Sequence, residues 1–451
     1  MTQQTIQHPS YGTGTVVGER FAGFELRVRF VDGRERYVRA DHIESIAPTH
    51  VAQPVLTTSS TGDNAPTATA RRISPPVPRS IIETLRLGIV PERQAHRFTF
   101  GRDNEIAQLK GWLEAPDDGT RSIIGTYGTG KTHLLNYLRS YALKEGYAVA
   151  FVEIDANEAP FSRPKRVYGQ LVQSLRYCDK SNGREIGVRD LLRRAVYAGL
   201  TREHPYFSHL ADHLSNERVW EWIEAREDAP RPYHLDGLYR NLPGLYNHGT
   251  AANIYCNLLS GLGWIVQQPK IGLKGLLLIF DESETLFNYQ TRDSTAKSVN
   301  FLDVLMDVAN NNQALLALPH ETKYRSSSHA RDVPFLFRNP SSLKLALAFT
   351  HVPFTYSSYA LWNSPLFQVG RQISLNSLDD EALYSICEKI AGYYRQAYGF
   401  KCDDATLQLV FKCVLLKTSE HDSLRMKLKG FVEALDLLRL RPQQAWDEVL
   451  V

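Results

Sequence analysis

The run GTYGTGKT at residues 125–132 limits the possible folds of this chain more than any other segment. It fits G-x-x-x-x-G-K-[ST], and its surroundings fit too: an apolar strand at Ser122–Ile124 leads in, and a helical pattern over Lys131–Lys144 leads out. Gly125, Gly128 and Gly130 let the backbone curl until its N–H groups face a phosphate, and the helix N-terminus adds a positive dipole end at the same place. The expected phosphate cradle is therefore Gly125, Thr126, Tyr127, Gly128, Thr129, Gly130, Lys131, Thr132 and His133. Lys131 neutralises β- and γ-phosphate charge, and the Thr132 hydroxyl ligates Mg²⁺. ATP and Mg²⁺ are the expected cofactors. A loop of this kind needs a strand before it and a helix after it, so the chain is read as α/β.

A second motif completes the chemistry. GLLLIFDESE at 275–284 holds four consecutive large apolar residues, the mark of a strand buried on both faces, and ends in Asp281–Glu282. Asp281 is expected to hold the Mg²⁺ shell, and Glu282 to orient or deprotonate the lytic water. Glu284 is either a third acidic contributor or a helix N-terminal residue favoured by the dipole. Upstream, FTFGRDNEIAQL at 98–109 places Phe98, Phe100, Gly101 and Arg102 either in an adenine pocket or in the turn before a helix capped by Asp103 or Asn104. Downstream, LKLALAF at 343–349 runs into Thr350, the expected γ-phosphate sensor and a catalytic residue, with His351 at the surface or sharing the role. Arg425, at the start of a late helix, either reaches the nucleotide or lies on a solvated face.

Three regions separate by composition. Residues 1–46 alternate Leu26, Val28 and Phe30 with Arg27 and Arg29, then offer Asp32–Gly33 as a two-residue turn. With a strand at Gly14–Gly18, and Gly12 and Gly14 as turn formers, they read as a small all-β barrel. Residues 47–79 are rich in Pro, Thr and Ala and almost lack large apolar side chains, so they read as a flexible linker. Residues 80–375 carry the ATPase core, with a helical insertion at about 178–270, and residues 376–451 form a C-terminal helical domain. Aromatics and arginines interleave in the insertion; they make either a contact surface for DNA or protein, or the insertion's own core.

A net charge of +3 leaves any nucleic-acid contact to a local basic patch. Five cysteines without CxxC spacing read as reduced thiols in a cytoplasmic protein, and no apolar run approaches the length that spans a bilayer.

The GRD turn, GTYGTGKTHLL, the Asp-Glu strand and the helical tail together resemble AAA+ ATPases, nearest the initiator and origin-recognition side. The stretches IIETLRLGIVPERQAHRFTFGRDNEI and GTYGTGKTHLLNYLRSYALKEGYAVAFVEIDANEAPFSRPKRVYGQLVQSLRY resemble more closely the BrxD-type ATP-binding proteins of BREX phage defence. That resemblance implies an ATPase of an anti-phage system that couples hydrolysis to assembly or remodelling on DNA, directly or through partners such as a helicase or methyltransferase; the alternative is a nucleotide-gated binding switch or a transcription-coupled adaptor. The AAA+ resemblance implies a homo-oligomer. HPSYGTGTVV and the hairpin after it are similar to Tudor/SH3-like domains of UvrD-type helicases and CarD-type factors. This second resemblance implies a protein-binding module.

Overall fold

The computed structural model describes residues 5–8, 12–20, 25–33, 35–39, 44–45, 77–88, 95, 97–116, 118–179, 183–226, 242, 245, 252–287, 291–319, 321, 333–350, 370–418 and 423–441. It divides into two units, Met1–Ile73 and Ser74–Val451.

In the first unit, β1 (Thr5–His8), β2 (Gly12–Arg20), β3 (Glu25–Phe30), β4 (Glu35–Arg39) and β5 (Glu44–Ser45) form an antiparallel sheet in the order β4-β3-β2-β1-β5. Ile6, Val28, Phe30 and Val38 make its core. The expected strand at Gly14–Gly18 is the middle of a longer one, and Gly14 is not a turn former. It lies opposite Phe30, where an added Cβ would come within 2.5 Å of Val28 Cγ1. Gly12, at φ +72°, does turn the chain. The Asp32–Gly33 turn is longer than two residues: Arg29 pairs with Glu35, and the Gly33 N–H donates to Phe30 O at 2.9 Å. The expected linker lies outside the described residues, except that its last three residues already belong to a helix.

The second unit opens with that helix, α1 (Val77–Arg86), followed by α2 (Asp103–Glu114), β6 (Thr120–Gly125), α3 (Lys131–Lys144), β7 (Ala148–Glu153) and α4 (Pro164–Ser174). Next come β8 (Arg176–Cys178), β9 (Glu185–Gly187), α5 (Val188–Tyr197), α6 (Glu217–Ile223), α7 (Ala252–Gln267), β10 (Leu276–Asp281) and α8 (Arg292–Ala309). The chain ends with β11 (Leu343–Thr350), β12 (Gln372–Leu375), α9 (Asp380–Tyr398), α10 (Asp404–Lys417) and α11 (Leu424–Leu440).

The sheet order is β12-β6-β11-β10-β7-β8-β9, parallel from β12 to β7 and antiparallel for the β8–β9 hairpin. Every residue of β10 is buried. Its alternation feeds both faces: Leu276, Leu278 and Phe280 pack with residues of α4, α7 and α8, whereas Leu277 and Ile279 pack with residues of α2 and α3. This is a mixed α/β fold with a mostly parallel central sheet, as the strand–helix alternation predicts. In the insertion Tyr206, Phe207, Trp220 and Trp222 are all buried, and Arg189 is held by Glu217 and Glu224. These four aromatics pack in the same core as β10, whereas Tyr197 of the insertion is exposed.

The helical domain is not purely C-terminal. Ile81, Ile82 and Leu85 of α1 join Phe98 in one apolar cluster with Leu383, Ile386 and Ile390 of α9, Val410 of α10 and Phe431 and Leu435 of α11. Arg86 fixes this arrangement with two bonds to the Asp436 carboxylate, at 2.8 and 2.9 Å. Such a bidentate pair sets orientation as well as energy. Ile82 is fully buried in this cluster. Ile82→Ala is therefore expected to destabilise the protein by about 2–5 kcal/mol. Denaturant unfolding measures this, and an unchanged midpoint would show that α1 contributes nothing to the bundle.

Candidate functional site

The phosphate loop is built by three glycines with three different reasons to be glycine. Gly125 ends β6 where a Cβ would lie 2.5 Å from Thr129 Oγ1. Gly128 has φ +81°, and its Cβ would lie 2.5 Å from the Ser423 Cβ. Gly130, at φ +96°, is the N-cap of α3 and supplies no side chain, so the first N–H groups of the helix stay uncapped from that side. The Thr129 hydroxyl tightens the loop by donating to Thr126 O at 2.9 Å. Lys131 is buried, and its ammonium donates to Gly125 O and Thr126 O at 3.1 and 3.2 Å.

The loop is held from behind by Arg102. Its buried guanidinium donates to Thr129 O at 2.9 Å, to Asn376 O at 2.6 Å and to Glu105 Oε1 at 3.1 Å. Arg102 thus lines the cavity while its polar atoms are spent on protein acceptors, a tie the sequence did not reveal. Beside it the Thr99 hydroxyl donates to Ala95 O at 2.8 Å and contacts His133 Nε2 at 2.9 Å. Burial, and after it the Arg102 charge, push the His133 imidazole down to about 4, so the ring is neutral at pH 7.

The acidic side of the site comes from β10 and β7. The Asp281 carboxylate accepts from the Glu282 N–H at 3.0 Å and shares a hydrogen bond with the Thr132 hydroxyl. Burial raises the Asp281 pKa, and the Thr132 bond partly offsets that rise. Glu282 sits at φ +52°, a conformation that costs a non-glycine residue free energy and that clusters at functional sites. Its carboxyl is pushed up to about 7 by burial, then by the charge and hydrogen bond of Glu284 and the charge of Asp281. Glu284 lies on the 3-10 turn Ser283–Phe287 with one carboxylate oxygen buried, so it is an acidic neighbour of Glu282 rather than a solvated helix start. Glu153, in register with Asp281 at the end of β7, was not picked out from the sequence; burial and Asp281 raise it as well.

These groups border one cavity of about 310 Å³. Its lining includes Phe98, Phe100, Arg102, Tyr127–His133, Glu153, Asp281, Glu282 and, from the helical bundle, Leu378, Ile386, Ser423 and Arg425. Most of the expected residues are thereby brought together. Gly125, Thr126, Gly101 and Thr350 are not in the lining. Gly101 instead turns at φ +61° against Ala382 in α9, and Thr350 ends β11 in register with Gly125. His351 lies outside the described residues. The α11 start belongs to the site because the Leu424 N–H approaches Gly128 O at 3.4 Å. Tyr127 is 78% exposed at the rim.

Thr132 and Asp281 supply one hydroxyl and one carboxylate. This is the sparse oxygen set that Mg²⁺ accepts when water and phosphate complete its shell. Among the described residues no group of three or more His, Cys, Asp or Glu could hold a metal by itself, and no helix is long and apolar enough to cross a membrane.

Residues 73–197 match the family described as BREX system ATP-binding protein BrxC/D. The match falls on the stretch whose residues carried that resemblance, so the expectation of a BREX-type ATP-binding segment holds there. No curated protein matches the chain. Among solved structures it is similar to AMPPCP-bound DnaA from Aquifex aeolicus, at 12% identity and TM-score 0.33 over 79% of this chain and 67% of that one. It is also similar to the Aeropyrum pernix ORC2 protein in ADPNP–ADP complexes, at 15% identity and TM-score 0.38 over 77% of this chain and 65% of that one. The chain thus spans about two thirds of the length of either structure.

The raised Glu282 carboxyl has a sign that can be tested. Its folded value of about 7 exceeds the ordinary 4.5, so the folded chain keeps a proton there that the unfolded chain has released. The resulting stabilisation is complete below about 4.5 and is lost as pH rises through about 7. Relative to wild type, Glu282→Gln should be near neutral at about pH 5 and stabilising at about pH 8. Chemical denaturation at the two pH values checks this, and a variant equally affected at both would refute the burial argument.

Proposed function

We propose that the chain binds Mg·ATP in this cavity and hydrolyses it, as an AAA+-type component of a BREX-like anti-phage system. One observation carries the reading: Lys131 and Thr132 at the start of α3 face the same cavity as Asp281 and Glu282 at the end of β10. One strand, β11, stands between the loop strand β6 and β10. Two strand spacings make about 10 Å, room for a terminal phosphate and a water between the cradle and the acid.

In this reading the loop N–H groups and Lys131 bind the phosphates, and the bundle closes over the base with Leu378 and Ile386 opposite Phe98 and Phe100. Thr132 and Asp281 would hold Mg²⁺, which would supply charge neutralisation for the phosphoryl oxygens. Glu282 orients the attacking water and accepts its proton. Burial and acidic neighbours already place its pKa near neutrality, where a general base works best. Thr350, at the tip of the intervening strand, acts from the neighbouring position as sensor, and Arg425 approaches from the bundle. The proposal extends to coupling of this turnover to DNA, to partner proteins such as a helicase or methyltransferase, and to a homo-oligomer completed by a neighbouring copy; the BREX match supports the defence-system setting of an ATP-binding component. The first unit is the proposed partner-binding module.

Lys131→Ala should abolish nucleotide binding or turnover with little loss of stability. Glu282→Gln should still bind ATP and hydrolyse it at least tenfold more slowly, general acid–base catalysis being worth about 10²–10⁴-fold in full. Phosphate release by the purified proteins, with and without DNA, is the measurement. Normal turnover in either variant defeats the assignment, and a rate indifferent to DNA defeats the coupling.

A further inference from the structure

The cavity joins two chemically different regions. One is the phosphate loop with its acids; the other is the apolar region made by Phe98, Phe100, Leu378 and Ile386, which packs with the helical bundle. His133 stands where they meet, on the first turn of α3, tied to Thr99 between the two phenylalanines. The nucleotide reading leaves this ring without a task beyond its backbone N–H.

The hydrogen bonds around it fix its tautomer. A threonine hydroxyl has one proton, and the Thr99 proton is committed to Ala95 O at 2.8 Å, because a carbonyl can only accept. Toward His133 Nε2, at 2.9 Å, the Thr99 oxygen must therefore accept, so Nε2 carries the ring proton. A neutral imidazole has only one, which leaves Nδ1 a bare acceptor. Among the described residues Nδ1 has no hydrogen-bond partner, and it is not among the polar atoms sealed from solvent. The open space that His133 borders is the cavity.

We propose that His133 selects the base: its Nδ1 accepts a hydrogen bond from the exocyclic amino group of adenine and disfavours a 6-oxopurine, which presents a carbonyl oxygen at that position. Two acceptors set face to face leave both unpaired, and sites built around a specific polar partner reject analogues that lack it. Thr99 is the positioning residue, since it dictates which ring nitrogen is bare. The inference rests on the nucleotide-site reading and goes further by naming the base and its reader.

The experiment is calorimetric titration of the full chain with ATP, GTP and inosine triphosphate in the presence of Mg²⁺. Wild type should bind ATP at least about tenfold more tightly than the two 6-oxopurine nucleotides. His133→Leu should bring ATP to within about threefold of inosine triphosphate by weakening ATP alone. Thr99→Val removes the acceptor for Nε2–H and frees the ring to carry its proton on Nδ1, so it should narrow the preference while keeping the histidine. Nitrogen-15 NMR of the labelled imidazole should find Nε2 protonated in wild type. Uniform weakening of all three ligands by His133→Leu, an ATP preference untouched by both variants, or a wild-type ring protonated on Nδ1 overturns the proposal. A wild type that binds all three equally overturns this inference alone, whereas one that binds none overturns the nucleotide site beneath it.

Discussion

The Arg102 guanidinium ties together segments that the chain brings from far apart: the phosphate loop at Thr129, the turn after the edge strand β12 at Asn376, and its own helix at Glu105. Hydrogen bonds from a charged donor contribute about 1.5–3 kcal/mol each. Here they also fix geometry, because Thr129 belongs to the loop and Asn376 opens the path into α9. The loop therefore cannot shift without moving the base of the helical bundle. Burial depresses the His133 pKa and the same charge adds to it, so the side chain that ties the loop also helps keep its neighbour neutral.

Around that tie the site concentrates charge of one sign. Burial raises Asp281, Glu282 and Glu153; Glu284 adds to it at Asp281 and Glu282, and Asp281 adds to it at Glu282 and Glu153. Lys131 is the cation that eases Asp281 and Glu282, and it is partly occupied with loop carbonyls. Such a cluster is destabilising in isolation and would be relieved by a divalent cation at the proposed Thr132–Asp281 position. The left-handed backbone at Glu282 adds to the cost and holds that carboxyl beside Glu284 rather than out in water.

The parts legible in the sequence are those where burial is uniform or the spacing is strict. β6, β7, β10 and β11 could be read because their apolar runs are buried on both faces. β12 could not, since only Ile373 and Leu375 of its four residues are buried. The β8–β9 hairpin is three residues a side and carries no pattern. From sequence Arg102 fits either an adenine pocket or a helix start, because its partners are mostly backbone carbonyls and leave no mark in composition. Thr350 stands at the predicted strand tip, but the cavity opens to one side of it. The insertion's aromatics could have faced outward or inward, and only the packing decides that Tyr206, Phe207, Trp220 and Trp222 face inward while Tyr197 does not. Glu153 became visible only when parallel pairing set it beside Asp281.

Because α1 completes a bundle whose other members are α9, α10 and α11, the two halves of that core are synthesised far apart in time. From Leu85 to Ile386 the ribosome adds about 300 residues, which at about 5–20 residues per second takes roughly 15–60 s. Throughout that interval, among the described residues of their cluster, Ile81, Ile82 and Leu85 have only Phe98 and Phe100 from the early part of the chain. Each doubling of the intervening length adds only about 0.6 kcal/mol of closure entropy, so the finished bundle tolerates the separation. The price is kinetic: a nascent chain exposing an apolar helix is open to chaperone capture and aggregation until its last helices emerge.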